Sequence, residues 1–245
     1  MENNIFFNLV EIIQYIVIFY STEEPLFMKQ ILLFSFIVYN YSLFAQDKIE
    51  AIFGEPTLQE RQLSNYEKEP EAAAVVLFEK AKVTVKLNKH RYLVLHKEVH
   101  KKIKVFDAKK CDEDATVDIL FYHSKKNQEV ISNLKAVTHN RDVKSYIPNS
   151  RFYEKDRYVN YKQISFTFPN VKDGSILEYT YTEESPFFHR YEWNFQDDYP
   201  KIYSEFVSEI PGNYEYRASL GGTLEFAYKN SYIKDNCFSV DGFGD

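Results

Sequence analysis

Residues 163–182 read QISFTFPNVKDGSILEYTYT. Aromatic and small polar residues alternate on both sides of PNVKDGS, which predicts two strands closing as a hairpin on a turn that contains Gly174. The same period continues through most of the chain. AVVLF reads as a buried strand. KVTVKL places Val83, Val85 and Leu87 on one face. RYLVLHKEVHKKIKVF places Leu93, Leu95, Val99, Ile103 and Val105 on one face of a long strand. The other face carries His96, Glu98, His100, Lys102 and Lys104, and it reads as solvated.

After the charged turn DAKKCDEDA come a strand in TVDILFY and another in EVISNLKAVTHN, with Ile131 and Val137 facing inward. IYSEFVSEIPGNYEYR predicts a last pair of strands around Pro211 and Gly212. One helix is expected, over PTLQER to about Leu63, because Thr57 and Glu60 have the spacing of a capping box behind Pro56. Strands that follow strands without helical stretches between them predict an all-β fold, mainly antiparallel and β-sandwich-like, with one short N-terminal helix.

Of the 245 residues, 30 are cationic and 36 acidic, so at net −6 the whole chain exerts no attraction on nucleic acid or anionic lipid. From Met28, MKQILLFSFIVYNYSLFAQ has the charged start, apolar run and small Ala45 of a signal peptide cleaved before Gln46. The expected organisation is a leader over 1–27 from an over-extended start and a signal peptide over 28–45. A β-rich module over 46–212 and a weakly patterned tail over 213–245 follow. Export to the periplasm, the cell envelope or the extracellular space follows from the signal peptide, with membrane contact only through an uncleaved leader.

His96 and His100 are four apart, a zinc spacing on a helix, but the order differs from His-Glu-x-x-His and the segment has a strand period. Residues 82–110 hold ten Lys and Arg against Glu98 and Asp107; they read as edge-strand guards rather than a nucleic-acid patch. Cys111 stands among Asp112, Glu113 and Asp114, whose charges raise a thiol's pKa instead of activating it. Whether Cys111 pairs with Cys237 is left open by sequence. No catalytic residue, metal or cofactor is expected.

ESPFFHRYEWNFQDDYPKIYSE concentrates aromatic side chains that pair an apolar face with a polar handle. Tyr191, Trp193, Phe195 and Tyr199 are the candidate binding residues. The competing reading sends Trp193 and Phe195 into the core.

Four phrases resemble one family, the domain of unknown function 3857. They are YEKEPEAAAVVLFEK, HKKIKVF, FTFPNVKDGSILEYTYT with Pro169, Gly174, Glu178 and Tyr179, and WNFQDDYPKIYSEFVSEIP with Trp193, Gln196, Pro200, Ser204 and Glu205. The resemblance covers Phe53 to Pro211. It implies a β-rich exported module that stands before a transglutaminase-like core with a papain-type Cys-His-Asp arrangement. The stretch after Pro211 shows no such core. The expectation is thus a non-catalytic module that binds or positions a protein or peptide for a core on another chain, with a truncated gene product as a variant of the same reading. A stand-alone carbohydrate-binding or adhesion module is the second reading, and a hydrolase or acyl transferase using Cys111 the third. Glu178, in a strand among aromatics, needs a partner, expected to be a Lys or Arg of a neighbouring strand.

Overall fold

The computed structural model describes residues 50–88, 90–111, 115–187, 191–212, 214–222 and 224–233. The expected leader and signal peptide, Asp112–Asp114 and Cys237 lie outside the described residues. The strands belong to the unit Ala51–Asp245.

Helix α1 (Leu58–Gln62) begins at Thr57, where the capping box forms: Glu60 N donates to Thr57 Oγ1 and Thr57 N donates to Glu60. Among the described residues nine strands follow: β1 (Ala74–Leu87), β2 (Leu93–Val105), β3 (Thr116–Tyr122), β4 (Val130–Asn140), β5 (Val143–Tyr146), β6 (Tyr153–Tyr158), β7 (Tyr161–Thr167), β8 (Ile176–Ser185) and β9 (Ser204–Glu209). They form a six-stranded sheet in the order β5-β4-β8-β2-β1-β9 and a three-stranded sheet in the order β3-β7-β6.

Alternation decides what each sheet buries. Ala74, Val105, Ala136 and Leu177 of the large sheet meet Ile119 and Phe166 of the small one, and Phe168 and Cys111 close the ends of this layer. The large sheet also buries part of its other face. There Val75, Leu77 and Ile176 pack with Leu63, Tyr66 and Phe106, so the segment around α1 covers that side.

The pair of strands in 163–182 is not a hairpin. β7 pairs with β3 and β6, whereas β8 pairs with β2 and β4. The intervening PNVKDGS is a corner between sheets. Asn170 at φ 56° and Gly174 at φ 84° take left-handed conformations. Gly174 N donates to Val105 O and Val105 N to Ser175 O, which starts β8 on β2 and leaves no edge for β7.

The polar face of β2 is solvated only in part: Glu98 is exposed, but the Lys102–Lys104 end is buried, and the lysines of this inner strand are not edge guards. β2 lies between β1 and β8, and Lys102 and Lys104 are only 1% and 2% exposed. α1 lies over them: Lys102 Nζ reaches Glu60 Oε1 at 3.1 Å, and Lys104 Nζ donates to Arg61 O at 2.9 Å. Ile131 and Val137 also fail to share a face. A bulge between Ser132 and Lys135, with Asn133 at φ 54°, shifts the alternation. Ile131 joins the inter-sheet core, while Val137 stands opposite Glu178.

The last predicted pair reduces to one strand. β9 adds to the free edge of β1 in parallel, and residues 214–217 take no strand conformation. The aromatic segment between β8 and β9 carries the chain past β2 and β1 to this edge.

Candidate functional site

Residues 186–187 and 191–203 lie between the end of β8 and the start of β9. Ionic contacts fix this crossover to the inner face of the sheet. Lys101 Nζ lies 3.0 Å from Glu79 Oε1 and 3.1 Å from Asp197 Oδ2. Lys201 Nζ lies 2.5 Å from Glu79 Oε2 and donates to Asn194 O at 3.0 Å. Ser204 Oγ donates to the same Glu79 oxygen at 3.3 Å. Glu79 is 6% exposed, so two ammonium groups and a hydroxyl replace the water it has lost. Partial burial pushes the Asp197 carboxyl up, but the hydrogen bond and charge of Lys101, the Asp198 amide and the Lys201 charge hold it below its ordinary value. Burial holds the Tyr179 phenol above its ordinary range, and the charges of Glu79 and Asp197 add to the effect.

The four candidate aromatics divide among three neighbourhoods. Tyr191 and Trp193 lie together along β9, with ring centroids 5.6 and 6.0 Å from that of Phe206. Tyr191 Oη is hydrogen-bonded to Ser208 Oγ at 2.5 Å, and Trp193 Nε1 donates to Ser204 Oγ at 3.3 Å. Phe195 packs edge-on against Phe226 instead, at 5.1 Å. Tyr199 turns into the inter-sheet core, where its hydroxyl meets Cys111 Sγ at 3.5 Å. Trp193 and Phe195 are half-buried, Trp193 along β9 and Phe195 against Phe226. Pro200 O accepts from Val76 N at 2.9 Å and continues the β1 edge ahead of β9. Gln196 is exposed, and its side chain lies beside Gly222. Pro169 leads into the left-handed Asn170 of the sheet-to-sheet corner.

Glu178 has other partners than the expected Lys or Arg. Its carboxylate is fully buried between two histidines: His100 Nε2 of β2 lies 2.7 Å from Oε1, and His139 Nε2 of β4 lies 2.8 Å from Oε2. Gly54 N donates to Oε2 at 2.9 Å and ties the segment before α1 to the same group. Lys102 stands directly across the ladder from Glu178, but its ammonium is committed to Glu60. Burial alone would raise the Glu178 carboxyl; the hydrogen bonds from His100, His139 and Gly54 and the charge of His100 outweigh it and hold it at about 2. His139 is 2% exposed and its Nδ1 has no partner among the described residues, so Glu178 alone anchors the ring by hydrogen bond.

His96 sits apart from this junction, 3.1 Å from Glu98. Among the described residues no group of three or more His, Cys, Asp or Glu is arranged to hold a metal ion. Sequence reading missed the Glu79–Lys101–Lys201–Asp197 network altogether. The visible signal was an acidic residue inside the apolar run AVVLFE, together with charges interrupting an aromatic segment.

The model of the family described as Domain of Unknown Function with solved-structure structure (DUF3857) matches residues 95–236. The chain belongs to this family. The DUF3857 match takes in both histidine partners of Glu178, the crossover, β9 and the stretch after it. Among solved structures, a candidate protease of Parabacteroides distasonis aligns at 11% identity and a TM-score of 0.46, over 58% of this chain and 29% of its own. A substrate-bound M1 zinc metallopeptidase variant of Deinococcus radiodurans aligns at 10% identity and 0.25, over 50% and 23%. Yeast LTA4 hydrolase with bestatin aligns at 14% identity and 0.22, over 55% and 17%. The chain therefore spans less than a third of the length of each of these, and such scores carry no functional argument. A search of curated proteins gave no match.

Proposed function

We propose that this DUF3857 member is an exported, non-catalytic module that recognises an extended protein or peptide segment and positions it for a transglutaminase-like core on another chain. The observation that carries the reading is the pairing of Tyr191 and Trp193 over β9. Among the described residues β9 is the last strand of its sheet and is paired along one side only, with β1. An added strand would take its main-chain hydrogen bonds from the other side, and alternate side chains would lie against the Tyr191–Trp193–Phe206 wall. The side chains of Glu205 and Glu209 are already held by Lys80 and Lys82 on the opposite face, at 2.6 and 3.0 Å. Export rests on the signal-peptide pattern of residues 28–45.

The test uses a photoreactive benzoylphenylalanine at Tyr191 in the full chain, expressed in its own cells, with Glu154 of β6 as the control position. The reading expects one defined polypeptide cross-linked at position 191 and not at 154, lost on Trp193→Ala. The same products at both positions would overturn it. Glycan binding that disappears in a folded Trp193→Ala variant would replace it with the adhesion reading.

A further inference from the structure

The small sheet ends in two adjacent turns. β3 leaves through residues 123–129, β6 turns into β7 at Val159–Asn160, and His123 N donates to Asn160 O at 2.8 Å. Asn160, at φ 64°, meets the conformational need of the second turn. Val159 meets none, yet this β-branched apolar residue stands at the tip with 87% of its surface exposed. Tyr158 and Tyr161 flank it, 61% and 40% exposed. The register puts Tyr122, Tyr161 and Tyr158 in one row across the three strands. Tyr122 supports Tyr161 edge-on at 5.3 Å.

Charge around this apolar tip runs against the sign of the whole chain. Lys125, Lys126 and Arg157 are exposed, and none pairs with a carboxylate among the described residues. Arg157 lies over the Tyr158 ring, 5.2 Å from its centroid. The nearby acids are largely committed. Glu129 accepts from Tyr122 N and Ser185 Oγ, Glu154 holds Lys162 at 2.7 Å, and Asp156 stands opposite Lys162 in the ladder. A chain of net −6 thus presents a cationic, apolar-tipped end.

We propose that this end docks on the surface of an anionic lipid bilayer. Tyr side chains suit the headgroup boundary, a protruding Val suits the layer beneath it, and unpaired Lys and Arg suit anionic headgroups. An acidic peptide would satisfy the cations but leave Val159 and Tyr158 in water. The acidic remainder of the surface disfavours other orientations on the same bilayer. No helix among the described residues is long and apolar enough to cross a membrane.

The experiment measures co-sedimentation of the full chain with vesicles of phosphatidylcholine alone and of phosphatidylcholine with phosphatidylglycerol. The parent, Val159→Ser and the double variant Lys125→Gln/Lys126→Gln are compared; residues 1–45 are common to all three, so differences report the tip. The parent is expected to partition roughly ten-fold more onto the anionic vesicles, with a loss on adding salt, and each variant to lose several-fold at unchanged thermal midpoint. Equal partition on both vesicle types, or variants that bind like the parent, would overturn the proposal. Salt-sensitive binding to polyglutamate that Val159→Ser leaves intact, without vesicle binding, would also overturn it and point to an acidic polypeptide.

Discussion

Replacing Glu178 with Gln removes the charge at the centre of the buried junction and nearly preserves its shape. The parent carboxyl titrates near 2 in the fold against an ordinary 4.5. At about 1.4 kcal/mol for each pH unit of difference, its ionisation contributes roughly 3 kcal/mol to stability at neutral pH. The sign follows from the depressed value: this contribution is complete above 4.5 and disappears as pH falls toward 2. Linkage places about 2 kcal/mol of the loss between neutrality and pH ~3. The substituted amide has no ionisable group, so the variant should lack this part of the acid sensitivity. At neutral pH it should be less stable by roughly 1–3 kcal/mol, because one amide cannot accept from both His100 and His139 as the carboxylate does. Urea unfolding followed by far-ultraviolet circular dichroism, at several pH values down to about 3, gives both stabilities on one scale. The decisive quantity is the parent-minus-variant difference. If that difference stays constant between pH ~6 and ~3, the two histidines and the Gly54 amide do not hold the carboxylate ionised, and the account of the junction fails.

Breaking the Lys102–Glu60 pair should depend on which partner is removed. Glu60→Ala leaves a buried ammonium and opens the capping box, for a loss of about 3 kcal/mol, whereas Lys102→Met should cost under about 1 kcal/mol; urea midpoints compare them. Lys201→Ala removes one of the two ammonium groups on buried Glu79 and should cost about 3 kcal/mol. The emission of Trp193, the only tryptophan, should shift to the red in the native baseline as the crossover loosens. Gly174→Ala should cost about 1–2 kcal/mol in thermal unfolding through backbone strain alone, since no atom stands within 4 Å of an added Cβ.

Much of the strand content was legible because alternation is a local property. β1, β2 and β3 appear where AVVLF, KVTVKL, LVLHKEVHKKIKV and TVDILFY place them, and Thr57 with Glu60 locates α1 because the capping box closes within one turn. Partners were harder to read. Glu178 visibly needed one, but His100 and His139 are 78 and 39 residues away, and nothing in the spacing favours them over the lysines of the same face. The four aromatics of the crossover look like one cluster in sequence, yet Tyr191 and Trp193 reach Phe206, Phe195 reaches Phe226 and Tyr199 reaches Cys111.

Local sequence was enough for most of the strands, the helix start, a turn at Gly174 and membership of a β-rich family, all carried by neighbours within a few residues, but β5 and β6 were not read from it and the strand expected after Gly212 did not form. Long-range packing was needed to part β7 and β8 into different sheets and to return β9 in parallel. It was also needed to cover Lys102 and Lys104 and to project a cationic tip from an acidic chain. An alternating strand is equally suited to many edges and to either side of a sheet. Only the final pairing, and whatever comes to lie over each face, chooses among them.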